Sequence, residues 1–66
     1  MINLTINGQA QSCDTDTIEG LLQHLNLAQS QVAVELNGSI VPRDAFSVML
    51  LQNGDQLEVV RFVGGG

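Results

Sequence analysis

The sequence has no lysine, no tryptophan and no tyrosine, and it carries one cysteine, one proline and two basic residues, Arg43 and Arg61. Each shortage excludes something. A lone cysteine, Cys13, rules out an internal disulfide and fits a reducing compartment, so a cytoplasmic protein is expected. One cysteine and one histidine, His24, far apart in sequence make no zinc site by themselves, so no metal is expected. Two arginines against seven acidic residues give a net charge of -5. That leaves no cationic footprint for a phosphate backbone, and nucleic acid is not an expected partner. An acidic body is steered instead towards partners with a basic face. No apolar run approaches the ~18 residues of a membrane span. The start, Met1-Ile2-Asn3-Leu4-Thr5, lacks the basic and apolar stretches of a signal peptide. No nucleophile–base pair and no pair of carboxylates stands at usable spacing, so no catalytic residue is assigned and an independent enzyme is not expected. Without lysine, no side-chain amine of this chain could attack an activated carboxyl group that it carried.

What is present describes one small folded domain. Hydrophobic residues make up 44% of the 66 and charged residues 14%, the balance of a globule rather than of a disordered chain. A chain near this length buries only about 60% of its unfolded surface, so modest stability is expected. Ile2, Leu4 and Ile6 alternate with Asn3, Thr5 and Asn7, the period of a half-buried strand. Asn7-Gly8 is the favoured pair for a two-residue hairpin, and Gln9 to Cys13 reads as the returning strand, with Cys13 packing as a small hydrophobe. Asp16 or Thr17 suits an N-cap, with Glu19 in the first turn. Ile18, Leu21, Leu22 and Leu25 then form one apolar stripe at helical spacing; Gly20 and His24 lie off it. Gly20 should cost this helix about 1 kcal/mol relative to alanine.

A second strand is expected over Val32 to Asn37, followed by a second hairpin signal, Asn37-Gly38, and a short strand at Ile40-Val41 stopped by Pro42. Arg43 to Phe46 reads as a turn or a single helical turn with Phe46 as a core anchor, and Val48 to Leu51 as an apolar stretch of ambiguous type, with a short edge strand as one reading. Asn53-Gly54-Asp55 is a tight turn before the last strand, Gln56 to Val63. On that strand Leu57, Val59 and Val63 share one face, while Val60 and Phe62 are apolar on the other. Such a strand is central in its sheet or exposes one face to a partner. One helix cannot cover both faces, so Val60 and Phe62 are expected in a surface apolar patch unless a loop covers them.

The chain then runs into Gly64-Gly65-Gly66. Glycine has no Cβ, so a glycine tail enters channels closed to other residues. Three residues extend roughly 10 Å at ~3.3–3.6 Å each. The reading is a body over residues 1–63 and a flexible tail over 64–66, with either a reactive carboxylate or an inert frayed end at its tip.

The order of elements, a hairpin and a later strand set around one helix, is that of the β-grasp, or ubiquitin-like, fold: α+β, with a mixed sheet of four to five strands on one helix. Along essentially its whole length the chain resembles the ThiS family of sulfur carrier proteins of thiamine biosynthesis. The resemblance rests on the Asn-Gly hairpin opening, the Ile18/Leu21/Leu22/Leu25 helix and Val34-Glu35-Leu36-Asn37-Gly38 running into Ile40-Val41-Pro42-Arg43. The Asn53-Gly54-Asp55 turn and the terminal glycines complete it.

The resemblance implies a last strand that is central and parallel to the first. It also implies a protein co-substrate rather than a catalyst, with no bound cofactor. A ThiF-like adenylating enzyme would use ATP to place AMP on the carboxylate of Gly66. A persulfide sulfur donor would convert Gly66 to a thiocarboxylate, and thiazole synthase would take the sulfur, building the ring from a deoxyxylulose phosphate and a glycine-derived imine. Gly64 and Gly65 would form the slender tail, and Val60 and Phe62 the docking surface. The family pattern requires two terminal glycines, so Gly64 is an extra one. The same fold and tail would serve a carrier for molybdopterin or another sulfur metabolite. They would equally serve a ubiquitin-like modifier joined to a target lysine, or an interaction domain with an inert tail.

Overall fold

Backbone hydrogen bonding turns the strand patterns into one five-stranded mixed sheet. The computed structural model describes residues 1–62. The strands are β1 (Ile2–Ile6), β2 (Gln9–Cys13), β3 (Val32–Leu36), β4 (Ser39–Ile40) and β5 (Gln56–Arg61), and one helix, α1 (Ile18–His24), crosses one face. Single 3-10 turns lie at Gln29–Gln31 and Arg43–Ala45. The strand order is β2-β1-β5-β3-β4, the β-grasp arrangement, with β5 central and parallel to β1.

Both Asn-Gly pairs form the expected hairpins. Asn7 and Gly8 have φ 51 and 82, and Asn37 and Gly38 have φ 50 and 89. Positive φ at both central residues gives a backbone twist that matches the twist of the flanking strands. The turns set the registers Ile6↔Gln9 and Leu36↔Ser39. Those registers send Leu4, Ile6, Val32, Val34, Leu57 and Val59 to the helix side, where all are buried.

Helix α1 starts at Thr17, whose Oγ1 accepts the Gly20 N–H at 3.0 Å. It stops at Asn26 (φ 60), where Asn26 N–H donates to the Gln23 carbonyl and Leu27 N–H to the Leu22 carbonyl. That is the paired closure of a left-handed C-terminal cap. Ile18, Leu21 and Leu22 are buried and Leu25 half-buried, so the apolar stripe is the core face. Phe46, 1% exposed, fills the core beside them, and its carbonyl accepts the Glu19 N–H at 2.9 Å, tying the helix start to the 43–46 turn. Cys13 is buried as a small hydrophobe and His24 is exposed.

Two expectations change. Val48 to Leu51 is not a strand. The Ala45 carbonyl accepts both the Val48 and the Met49 N–H groups, winding the chain in turns, and a single isolated bridge joins Leu50 to Thr17. Only Leu51 of the run is buried, its N–H donating to the Asp16 carbonyl at 2.7 Å. Within the described residues the last strand ends at Arg61, and Phe62 lies past its end. Val63, Gly64, Gly65 and Gly66, and with them the boundary between body and tail, lie outside the described residues. Gly20 also has a role that helical periodicity does not show: a Cβ there would overlap the Thr15 hydroxyl, so its missing side chain makes room for the loop before the helix. Among the described residues no helix is long and apolar enough to cross a membrane.

Candidate functional site

The strand that runs into the tail is held on both sides. Antiparallel β3 pairs with it from Val32↔Arg61 to Leu36↔Leu57, and the Phe62 N–H carries the ladder one step further by donating to the Gln31 carbonyl at 2.9 Å. On the other side β1 pairs only through Thr5↔Gln56 and Ile6↔Leu57 before its chain turns away. There the Asn7 side chain takes over: Oδ1 accepts the Val59 N–H at 2.8 Å and Nδ2 donates to the Val59 carbonyl at 3.0 Å. One side-chain amide thus continues the ladder where main chain has run out.

Asn37 performs the matching task at the start of β5. Its N–H donates to the Gln56 carbonyl at 2.7 Å, and its Oδ1 accepts the Gln56 N–H at 2.9 Å. Its Nδ2 donates to Asp55 Oδ1 at 3.0 Å. Sequence reasoning identified both asparagines as turn formers and missed these bonds to β5. The Asn-Gly signal reports local backbone conformation, whereas the partner strand lies some fifty residues away in one case (|i−j| = 52).

Alternation sends Gln56, Glu58, Val60 and Phe62 to the face away from the helix. Among the described residues no element covers that face over Val60 and Phe62, each 58% exposed, so the apolar patch expected at these two residues is present. Opposite Val60 stands Ala33, and opposite Glu58 stands Glu35, which also faces Ile40 of β4. Ile40 is 67% exposed. Beside the two glutamates a hollow of about 310 Å³ opens between the hairpin turns, lined also by Thr5, Asn37 and Gln56. Arg61 lies on the other side of the sheet, in a hollow with Leu25 and Leu27. The open face is therefore part apolar and part acidic.

Among the described residues no three of His, Cys, Asp and Glu converge as a metal-ligating group. What these residues present is an open face, part apolar and part acidic, along the last strand. The expected reacting group, Gly66, and its neighbours Gly64 and Gly65 lie beyond them.

Comparison with known proteins agrees with this geometry. A model described as the ThiS family matches residues 4–66. The chain is 32% identical over 66 residues to the sulfur carrier protein ThiS of Escherichia coli, with 98% of this chain and 100% of that one covered. It is 41% identical to a thiazole synthase of Magnetococcus marinus, again over 98% of this chain, but it spans only 20% of that protein's length. Among solved structures, the crystal structure of the thiamine biosynthesis protein ThiS from Geobacter metallireducens matches with a TM-score of 0.82 and 39% identity, covering 98% of this chain and all of that one.

Proposed function

The chain belongs to the ThiS family, and on that premise we propose that it is a sulfur carrier that delivers sulfur for thiazole formation in thiamine biosynthesis. The observation that carries the reading is the match to E. coli ThiS over that protein's whole length, with the ThiS family model reaching Gly66. The likeness to a thiazole synthase of Magnetococcus marinus supports thiazole synthase as the acceptor.

In this reading the protein is a co-substrate and not an enzyme, and Gly66 bears the reacting carboxylate. A carboxylate is a poor electrophile because its leaving group would be oxide. An adenylating partner supplies a better one: a carboxylate oxygen of Gly66 attacks the α-phosphorus of ATP, and pyrophosphate leaves. The terminal sulfur of a persulfide donor then attacks the acyl carbon and AMP departs with the electron pair of the C–O bond. That product is an acyl disulfide. A thiol reduces it, forming a disulfide with the donor sulfur and freeing Gly66 as a thiocarboxylate. ATP is used by the partner, and the carrier binds no cofactor of its own.

The tail residues Gly64 and Gly65 have no Cβ, which suits passage through a narrow channel. Ordering them costs about 1–2 kcal/mol per residue, which docking of the body offsets. Val60 and Phe62 serve that docking. The test is reconstitution with thiazole synthase, its deoxyxylulose phosphate and a glycine-derived imine. Thiazole phosphate should form with the thiocarboxylated chain and not with the free acid. Equal product from both forms would end the proposal.

A further inference from the structure

The open face carries an unneutralised pair. Glu35 and Glu58 stand directly opposite each other in the β3–β5 register. The Cβ atoms of such a pair are about 4.5–5.5 Å apart, and like charges so placed destabilise a sheet. Nothing on the described face offsets them. The chain has no lysine. Arg61 lines the hollow on the helix side, and Arg43 donates its Nε to the Gln29 carbonyl from the second 3-10 turn. Neither glutamate makes a side-chain hydrogen bond among those found in the described residues, although Asn7, Asn37 and Asp55 nearby all do. The hollow of about 310 Å³ at the pair is lined by Thr5, Asn37 and Gln56 as well, so a cation entering it meets neutral hydrogen-bonding groups beside the two carboxylates.

We propose that Glu35 and Glu58 form the seat for an arginine or lysine side chain of the adenylating partner, with apolar side chains of that partner covering Ala33, Val60 and Phe62. This inference rests on the sulfur-carrier reading. Charge complementarity selects the occupant. A second copy of this chain carries a net charge of -5 and, docked face to face, would set two more glutamates against the pair, and nucleic acid would bring phosphates. A guanidinium or ammonium from another protein turns the repulsive pair into two charge-assisted contacts. Position fits as well. Glu58 and Phe62 share the face four residues apart, about 14 Å at ~3.4 Å per residue. The seat thus registers the body while the apolar patch lies next to the tail. The pair costs the free carrier stability and returns it in the complex.

The test compares two double variants that each remove two negative charges. E35Q/E58Q empties the seat, while D14N/D44N removes exposed carboxylates from other elements. Pyrophosphate release by the ThiF-like adenylating enzyme of the same organism is followed against carrier concentration at low and high salt, with the Tm of each chain. For E35Q/E58Q we expect KM to rise about tenfold or more, kcat to be held and Tm to be unchanged or higher. Its KM should also depend less on salt than that of the wild type. D14N/D44N should stay near wild type. An equal rise in both variants would reduce the effect to overall charge and overturn the seat, as would a KM unchanged in E35Q/E58Q. A fall in Tm matched by a fall in kcat would also overturn it, because the residues would then be structural. Failure of the wild-type chain to be adenylated at all strikes the sulfur-carrier reading itself, and the seat with it.

Discussion

Replacing Asn7 by glycine should loosen the strand that leads to the tail. The substitution keeps the positive φ that the turn requires, because glycine adopts it freely. It deletes both side-chain bonds to Val59, at 2.8 and 3.0 Å. Each bond contributes about 0.5–1.5 kcal/mol net, so the pair is worth about 1–3 kcal/mol. The extra freedom of glycine in the unfolded chain adds about 0.4–1 kcal/mol to the loss. A central value of ~2.7 kcal/mol for the sum lowers Tm by roughly 11–22 °C in a domain of this size. Thermal unfolding reads the total, and amide exchange reads the place: the Val59 N–H should exchange faster while that of Val34 changes only with global stability. Asn7→Asp separates the two bonds, since Oδ1 still accepts from Val59 while a carboxylate oxygen faces the Val59 carbonyl. That variant should recover stability as acid protonates the new group and restores a donor. A loss for Asn7→Gly within the ~0.5 kcal/mol of ordinary surface changes, with Val59 exchange unaltered, would refute the argument that a side chain completes this ladder.

Three further outcomes are expected. Gly65→Val should block adenylation with no change in Tm; activation at the wild-type rate would show that no narrow channel is involved. Val60→Ala with Phe62→Ala should raise KM for the adenylating enzyme while stability stays within about 0.5 kcal/mol, and an unaltered KM would remove these residues from the docking face. Gly20→Ala should lower Tm or at best leave it unchanged, because overlap with the Thr15 hydroxyl (a cost of about 1–3 kcal/mol) outweighs or cancels a helix-propensity gain of about 1 kcal/mol. In a Thr15→Ala background the loss should shrink, and a stabilised Gly20→Ala single variant would contradict the packing.

Much of this fold can be read without coordinates because its signals are local. The two Asn-Gly pairs specify turn backbones, and the Ile18/Leu21/Leu22/Leu25 stripe specifies a helix face. The apolar character of β5 on both sides reflects both of its circumstances at once: it is central in the sheet, and one of its faces is open at Val60 and Phe62. What the sequence hid depends on register or on distant partners. Val48 to Leu51 has strand-like composition, but bonds to the Ala45 carbonyl spend its N–H groups locally. Gly20 looks like a helix weakness until Thr15 is seen against it. Glu35 and Glu58 become a pair only when β3 and β5 are aligned, and no periodicity within either strand reveals it. Gly66 shows the opposite case, since the chemistry expected of it comes from its place in the sequence and its family, not from a constellation of neighbours.

Intact-mass spectrometry tests the central claim most directly. The chain is incubated with ATP, the adenylating enzyme and a persulfide donor, beside a chain lacking Gly66. The account predicts a gain equal to one oxygen replaced by sulfur, located at Gly66 and absent from the shortened chain. An unchanged mass, with the enzyme shown to activate another carrier, would contradict it, and so would the same gain in the chain without Gly66.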